Sequence, residues 1–90
     1  MLWLAKVHVT LKPVVLDPQG QAIQGGLRDL GFDTVKSVRA GKYLEIKLEA
    51  PDRGEAERLV DEMCSRLLAN PVIEEYRFEV AAVPAEARQP

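Results

Sequence analysis

The sequence predicts an α+β domain with the element order β-α-β-β-α-β, the ferredoxin-like arrangement in which two helices cover one face of a four-stranded antiparallel sheet. Three observations predict this fold class: apolar residues alternate near both ends of the chain, capping residues mark two helix starts, and the length of 90 residues suits one small domain. We expect a single domain over residues 1–80 and a mobile tail over residues 81–90, where the hydrophobic periodicity ends.

The first strand and the start of the first helix follow from local sequence signals. Apolar residues occupy every second position from Trp3 to Leu11, which is typical of a strand with one buried side. Asp17 and Pro18 mark a helix start, because the carboxylate can accept from the free amides of the first turn and proline lacks one such amide. The sequence therefore predicts a strand over residues 3–11 and a helix that begins at Pro18.

The first helix has one apolar stripe and two glycines in its interior. The stripe consists of Ile23, Leu27 and Leu30. Gly31 follows the stripe and can adopt the left-handed conformation with which helices commonly end. Gly25 and Gly26 each cost the helix about 1 kcal/mol relative to alanine. Such a low-relief surface suits the close approach of another backbone, either the domain's own sheet or a partner.

A hairpin is predicted in the middle of the chain. Residues 34–39 form a weaker candidate strand, and residues 43–50 alternate between polar and apolar side chains. The turn between them is expected at Ala40 and Gly41. These two segments would be the second and third strands of the sheet.

The second helix and the last strand complete the predicted order. Asp52 and Glu55 form a D-x-x-E capping box, and the apolar stripe that follows continues until Asn70 and Pro71 end the helix. Residues 73–80 then alternate as a final strand. Its inward side chains are expected to be Tyr76, Phe78 and Val80.

The predicted sheet has a second, polar face and two edge strands. The residues expected on that face are Lys6, His8, Thr10, Tyr43, Glu45, Lys47, Glu75 and Arg77. Edge strands carry free backbone hydrogen-bonding groups that can pair with another copy. We therefore expect a homodimer, and the sequence leaves open whether two dimers form a tetramer.

Composition excludes several classes of protein. The chain has 12 Lys and Arg against 14 Asp and Glu, a net charge of −2, so it is not suited to neutralising nucleic-acid phosphates. The single cysteine, Cys64, can form no internal disulfide. The N-terminus has neither the apolar run of a membrane span nor the pattern of a signal peptide. We expect a cytoplasmic protein without a nucleic-acid or membrane partner.

The sequence shows no pattern of catalytic or metal-ligating residues. His8 is the only histidine, and no C-x-x-C motif is present. Cys64 lies beside Asp61 and Glu62, which would not lower a thiol pKa, so we expect a packed core thiol. The loop after the first strand lacks the arginine needed for acylphosphatase-like chemistry, and Tyr43 is surrounded by acids, unlike the base-stacking aromatics of an RNA-binding sheet. We predict no catalytic, cofactor-binding or metal-binding residue.

Three motifs follow one another along the chain, V-L-D-P-Q-G at residues 15–20, V-R-x-G-K at 38–42 and L-x-N-P-V-I-E at 68–74. In this order they resemble the PurS family, the small subunit of bacterial and archaeal phosphoribosylformylglycinamidine synthase. The resemblance extends from about residue 5 to residue 80, which is nearly all of the predicted domain. Three motifs in the family's order and spacing are far more specific than any one of them.

The resemblance implies a non-catalytic role in purine biosynthesis. In this family a PurL-type synthetase subunit uses ATP and Mg²⁺, a PurQ-type glutaminase subunit releases ammonia, and a PurS dimer links the two. The complex converts formylglycinamide ribonucleotide (FGAR), glutamine and ATP to formylglycinamidine ribonucleotide (FGAM). The resemblance therefore implies that this chain binds no cofactor, and it leaves open whether the chain alone counts as an enzyme.

Four of the family-matched residues have no obvious structural duty in the sequence and are candidates for partner contact. They are Lys12, Gln19, Arg39 and Lys42. Three of the four are cationic and are expected near one end of the sheet. An alternative function, a free-standing ferredoxin-like domain that binds a small regulatory molecule, is also compatible with the fold.

Overall fold

The computed structural model describes residues 1–84. Its elements are strand β1 (Leu2–Leu11), helix α1 (Pro18–Asp29), strand β2 (Gly41–Glu49), helix α2 (Arg53–Met63), a π-helical turn (Cys64–Leu68) and strand β3 (Glu74–Ala82). The strands form one antiparallel sheet in the order β2-β1-β3. The architecture is α+β, as the sequence predicts.

Strand β1 is the central strand, and its alternating apolar residues face the core. Its buried residues are Trp3, Ala5, Val7 and Val9. The register places Val7 between Leu44 of β2 and Phe78 of β3. On the opposite face Lys6 lies beside Glu45, which confirms the predicted polar side of the sheet. The period of two in the sequence therefore reflects one buried and one solvated face.

Helix α2 covers the β3 side of the core. Asp52 caps the helix as predicted, because its carboxylate accepts a hydrogen bond from the Glu55 amide at 2.8 Å. The residues that this part of the chain buries completely are Ala56, Val60 and Cys64. The Tyr76 hydroxyl of β3 donates to Asp61 at 2.6 Å, and this hydrogen bond raises the pKa of Tyr76 to about 12. The same bond fastens α2 to β3.

The second helix ends differently from the prediction. Its α-helical part stops at Met63, and the π-helical turn closes with a 2.9 Å hydrogen bond from the Ala69 amide to the Cys64 carbonyl. This wider turn buries both Cys64 and Ala69 before Pro71 ends the segment. The complete burial of Cys64 confirms the predicted core thiol, and this burial raises the pKa of the thiol.

The predicted hairpin over residues 34–50 does not form. Residues 35–40 carry no strand and β2 begins directly at Gly41, so the sheet of the described residues has three strands. The cause is a competing set of contacts, since the carboxylate of Asp17 accepts from the Ala40 amide and holds this segment against the start of α1. The four-stranded, ferredoxin-like arrangement is therefore not confirmed.

Residues 12–40 form an arm, which contains α1 and projects from one end of the sheet. The radius of gyration of 17.0 Å reflects this extension, because a compact domain of this length would have about 12 Å. Within the stripe of α1, Ile23 is 43% and Leu30 is 76% exposed. Only Gly20 of this helix is buried. The prediction that two helices cover the sheet is therefore not confirmed, because among residues 1–84 α2 is the helix that packs on the strands.

The C-terminal strand extends past the predicted domain boundary at residue 80. Strand β3 continues to Ala82, and the Val83 amide donates to the Leu2 carbonyl at 2.9 Å. The part of the predicted mobile tail at residues 85–90 lies outside the described residues. Within residues 1–84, no helix is both long and apolar enough to cross a membrane.

Candidate partner-docking site

The predicted contact residues meet where the arm joins the sheet, a region that we call the arm base. Asp17 is at its centre, and its two carboxylate oxygens accept from the amides of Gly20 and Ala40, both at 2.9 Å. These two hydrogen bonds, that from Gly20 first, hold the pKa of Asp17 below its usual value. The Asp17 side chain thus caps α1 and holds Ala40, the residue before β2, in place.

Glycines allow the first two sequence motifs to touch at the arm base. A Cβ atom at Gly20 would overlap the carbonyl oxygen of Val38 and the carboxylate of Asp17. A Cβ atom at Gly41 would overlap the carbonyl oxygen of Val9. Both glycines are therefore required by close backbone approach, whereas the sequence alone indicated only a turn at Gly41.

Lys12 has a structural role that was not predicted. Its Nζ donates to the Pro71 carbonyl at 2.8 Å, and its backbone amide donates to the Ile73 carbonyl, also at 2.8 Å. These bonds connect Lys12, which precedes the first motif, to Pro71 and Ile73 of the third motif at the end of the sheet. The interpretation of Lys12 as a residue without structural duty is therefore wrong, because its ammonium group anchors the arm base.

The remaining three candidates are more accessible. Arg39 forms an ion pair with Glu75 at 3.4 Å, in which both side chains are about half exposed. Such surface pairs contribute little stability, which leaves the guanidinium available to a partner. Gln19 and Lys42 are both exposed.

Two neighbouring clefts bring all four candidates together. Lys12 and Arg39 line a cleft of about 500 Å³, and Gln19 and Lys42 line a second cleft of about 310 Å³. Asp17 borders both clefts. The sequence prediction of a cationic group at one end of the sheet is thus correct, although it did not reveal that Asp17 organises the group.

The arm base presents several hydrogen-bond donors to solvent. Its side chains offer ammonium, guanidinium and amide donors, which suit an acidic or carbonyl-rich protein surface. His8 is on the polar sheet face, with its ring 4.9 Å from that of Tyr43. No group of three potential ligands among the His, Cys, Asp and Glu side chains of residues 1–84 could hold a metal ion.

The paired glycines of α1 have open space beside them among residues 1–84. A Cβ atom at Gly25 or Gly26 would meet nothing within 4 Å. The interpretation in which they let the helix sit against its own sheet is therefore wrong. They leave a flat helix surface open to another molecule.

Replacing Asp17 with alanine is expected to lower the urea midpoint of unfolding, because both acceptors at the arm base are lost. Asp17→Asn retains one acceptor oxygen, so its urea midpoint should fall less than that of Asp17→Ala. Since the two hydrogen bonds lower the pKa of Asp17 in the folded state, the carboxylate's contribution to stability is complete above a pH of about 4, the ordinary pKa of an aspartate, and is lost as the pH falls through the lower folded-state pKa. The difference between wild type and Asp17→Asn should therefore shrink at acidic pH, as measured by circular dichroism during urea titration.

The matched control for Asp17 is Asp33→Ala, which removes an exposed carboxylate from the same arm. This variant should leave the midpoint unchanged. Equal midpoints for wild type and Asp17→Ala at pH 7 would show that the two hydrogen bonds do not stabilise the arm.

Comparison with known proteins gives one consistent assignment. The chain matches the family described as PurS, phosphoribosylformylglycinamidine (FGAM) synthase, over residues 4–82. It is 55% identical over 78 residues to the phosphoribosylformylglycinamidine synthase subunit PurS of Synechocystis, covering 87% of this chain and 78% of that protein. It is 49% identical over 85 residues to the Bacillus subtilis protein of the same name, covering 94% of this chain and 100% of that protein.

Solved structures show the same fold. Thermus thermophilus PurS superposes with a TM-score of 0.84 at 44% identity, covering 93% of this chain and 100% of that one. A chain in the structure of PurLQS from Thermotoga maritima gives 0.83 at 33% identity, covering 90% and 99%. At this coverage the match includes most of the arm as well as the sheet. Sequence motifs, fold and relatives agree, and the chain belongs to the PurS family of phosphoribosylformylglycinamidine synthase subunits.

Proposed function

We propose that this chain is the non-catalytic bridging subunit of its synthase, linking a PurL-type synthetase to a PurQ-type glutaminase in the conversion of FGAR, glutamine and ATP to FGAM. The observation that carries the proposal is the similarity over 90% of the chain to a protein in the structure of PurLQS from Thermotoga maritima. Ammonia that moves between two active sites must be kept from solvent, so the geometry of docking becomes part of catalysis.

The chemistry of the arm base supports bridging over catalysis. Its donors can bind a protein surface, and we assign ATP and Mg²⁺ to the synthetase subunit, with no cofactor on this chain. The biosynthetic family and the lone cysteine support a cytoplasmic location. No specific observation favours the alternative of a free-standing regulatory domain.

We assign partner contact to Gln19, Arg39 and Lys42, with Lys12 holding the arm base in shape. The three contact residues are exposed and lie at one end of the sheet, where they can meet a single partner surface. Charges at such a rim mainly set the orientation and the rate of association. Their removal should therefore weaken assembly without unfolding the chain.

We also propose that the functional form of the chain is a homodimer. The core of one copy is thin, because its buried residues include the four alanines Ala5, Ala50, Ala56 and Ala69. Several large apolar side chains are exposed instead, including Leu16 at 65% and Leu30 at 76%. Small domains with so little buried volume are marginal alone and gain stability by association. Pairing of two dimers into a tetramer is a separate question.

Charge reversal at the arm base tests the bridging role. The double variant Arg39→Glu, Lys42→Glu is expected to remain folded and to bind the cognate synthetase and glutaminase at least tenfold more weakly, because two cations on the docking surface become anions. The measurement is co-sedimentation of the three proteins at physiological salt.

The matched control makes the same change of charge elsewhere, as Lys36→Glu, Lys47→Glu. This control should assemble like wild type. Failure of the wild-type chain to co-sediment with either large subunit would refute the bridging role, whereas wild-type behaviour of the Arg39 and Lys42 variant would refute only the choice of contact residues.

A further inference from the structure

A cleft opens on the polar face of the sheet, next to the end of the arm. Its volume is about 410 Å³, and small-molecule sites typically have volumes of about 300–1,000 Å³. Its lining residues come from β1, from β3 and from the end of the arm, and they are His8, Thr10, Arg39, Glu75, Tyr76 and Arg77. The cleft is therefore large enough for a small molecule.

The register of β1 and β3 brings four polar side chains of the cleft together. Thr10 lies opposite Glu75, and His8 lies opposite Arg77 in the next row on the same face. Opposite side chains in an antiparallel pair begin about 5 Å apart, and neighbouring rows on one face are about 7 Å apart along the strands. The four side chains therefore surround one patch of the sheet of about 5 by 7 Å.

Arg77 brings a positive charge to the cleft that no neighbouring carboxylate neutralises. No ion pair among residues 1–84 includes Arg77. The other arginine of the cleft, Arg39, is paired with Glu75 at 3.4 Å. Glu79, the next acid along this face of β3, lies opposite Lys6. Because the planar guanidinium of arginine matches two oxygens of a phosphate group, Arg77 is suited to bind a phosphate ester.

Glu75 would repel a bare phosphate but suits a ligand that also carries hydroxyl groups. Arg39 donates to its Oε1 atom, and Oε2 receives no hydrogen bond from residues 1–84. Carboxylates accept hydrogen bonds from ribose hydroxyls in nucleotide-binding proteins, and the hydroxyl of Thr10 can both donate and accept. The cleft therefore places groups that bind a sugar in the row beside a group that binds a phosphate.

We propose that this cleft binds the pentose phosphate part of a nucleotide or of a sugar phosphate. Arg77 binds the phosphate, and Glu75 and Thr10 bind hydroxyls of the sugar. A base on the sugar can lie against His8, whose ring is 4.9 Å from that of Tyr43, because bases stack on aromatic side chains. The proposal goes beyond the bridging role and is independent of it, since none of these five residues is assigned to partner contact.

Isothermal titration calorimetry of the full chain with ribose 5-phosphate tests the site. We expect one molecule bound per chain. Arg77→Gln should weaken binding at least tenfold, because it removes the charge that holds the phosphate. The matched control is Lys47→Gln, which removes one positive charge from the same face of the sheet near its other end, opposite Leu4. This control should bind ribose 5-phosphate like wild type.

Glu75→Gln tests whether the sugar is recognised as well as the phosphate. Wild type should prefer ribose 5-phosphate to inorganic phosphate, because inorganic phosphate offers no sugar hydroxyls to Glu75. In the variant this preference should fall at least fivefold, since the carboxylate that accepts from the sugar and repels phosphate is gone. A loss of structure would weaken both ligands together, and circular dichroism should show that the variant is folded.

Adenosine 5′-monophosphate distinguishes the two sources of a pentose phosphate. Binding at least tenfold tighter than that of ribose 5-phosphate supports a nucleotide site in which the base contacts His8, whereas equal binding supports a sugar phosphate site.

Three results would overturn the proposal. They are no detectable binding of either compound at millimolar concentration, equal affinities of wild type and Arg77→Gln, and equal affinities of wild type for ribose 5-phosphate and inorganic phosphate. Each of these results leaves the bridging role intact, because co-sedimentation with the large subunits measures that role separately.

Discussion

Omitting this chain from a mixture of the cognate synthetase and glutaminase is expected to reduce glutamine-dependent FGAM formation on the order of 100-fold. The reason is positional, since a misplacement of about 1 Å between reacting groups can cost roughly that factor, and without the bridge the two active sites are not held together at all. Ammonia released at one site would then be diluted into solvent before reaching the other. The measurement is FGAM formation with FGAR, ATP and glutamine, with and without the chain.

External ammonium salt provides the internal control for this experiment. High ammonium should restore most of the FGAM formation without the chain, because the synthetase keeps its own substrate sites. Adding the Arg39→Glu, Lys42→Glu variant should restore less glutamine-dependent activity than adding the Lys36→Glu, Lys47→Glu control. Equal glutamine-dependent rates with and without the chain would show that it does not bridge.

Replacing Trp3 with alanine is expected to have the largest effect on stability. Trp3 is 5% exposed, its indole Nε1 donates to the Ala50 carbonyl at 3.1 Å, and the Arg53 guanidinium lies 5.4 Å from its ring centre. One side chain thus joins β1 to the ends of β2 and α2. Removing a buried tryptophan costs about 3–5 kcal/mol, which is a large part of the roughly 5–15 kcal/mol that stabilises a typical domain.

The variant Trp3→Phe distinguishes the contribution of the packed ring to stability from that of the indole hydrogen bond. It keeps an aromatic group in the core and removes only the indole donor and part of the volume, so it should cost less than half as much as Trp3→Ala. Urea titration followed by circular dichroism gives both values. Equal losses of unfolding free energy for the two variants would show that the hydrogen bond to Ala50, and not the packing of the ring, provides the stability that Trp3 contributes.

Features encoded by a few adjacent residues could be predicted from the sequence. The Asp17 cap, the capping aspartate at position 52 and the left-handed Gly31, with a φ of 98°, all form where the sequence places them. Each is a local bond or dihedral that the neighbouring residues determine. The alternation in β1 and β3 was equally reliable, because one face of each strand is buried.

Features that depend on distant residues could not be predicted. The weak strand expected over residues 34–39 does not form. Instead the Ala40 amide donates to Asp17, a residue 23 positions earlier in the chain. Lys12 was predicted to have no structural role because its acceptor, the Pro71 carbonyl, is 59 positions away in the sequence. The apolar period of α1 predicted a buried face, but the structure leaves Ile23 and Leu30 exposed, because a period contains no information on whether another surface lies against the helix.

The two open glycines of α1 have a thermodynamic consequence for the assembled complex. Glycine lowers the intrinsic helix propensity, so the amides of this helix in a free copy should exchange with solvent far sooner than those of the central strand β1. Any partner that binds through α1 would spend part of the free energy of association on ordering this helix, which would lower the affinity without altering an interface contact.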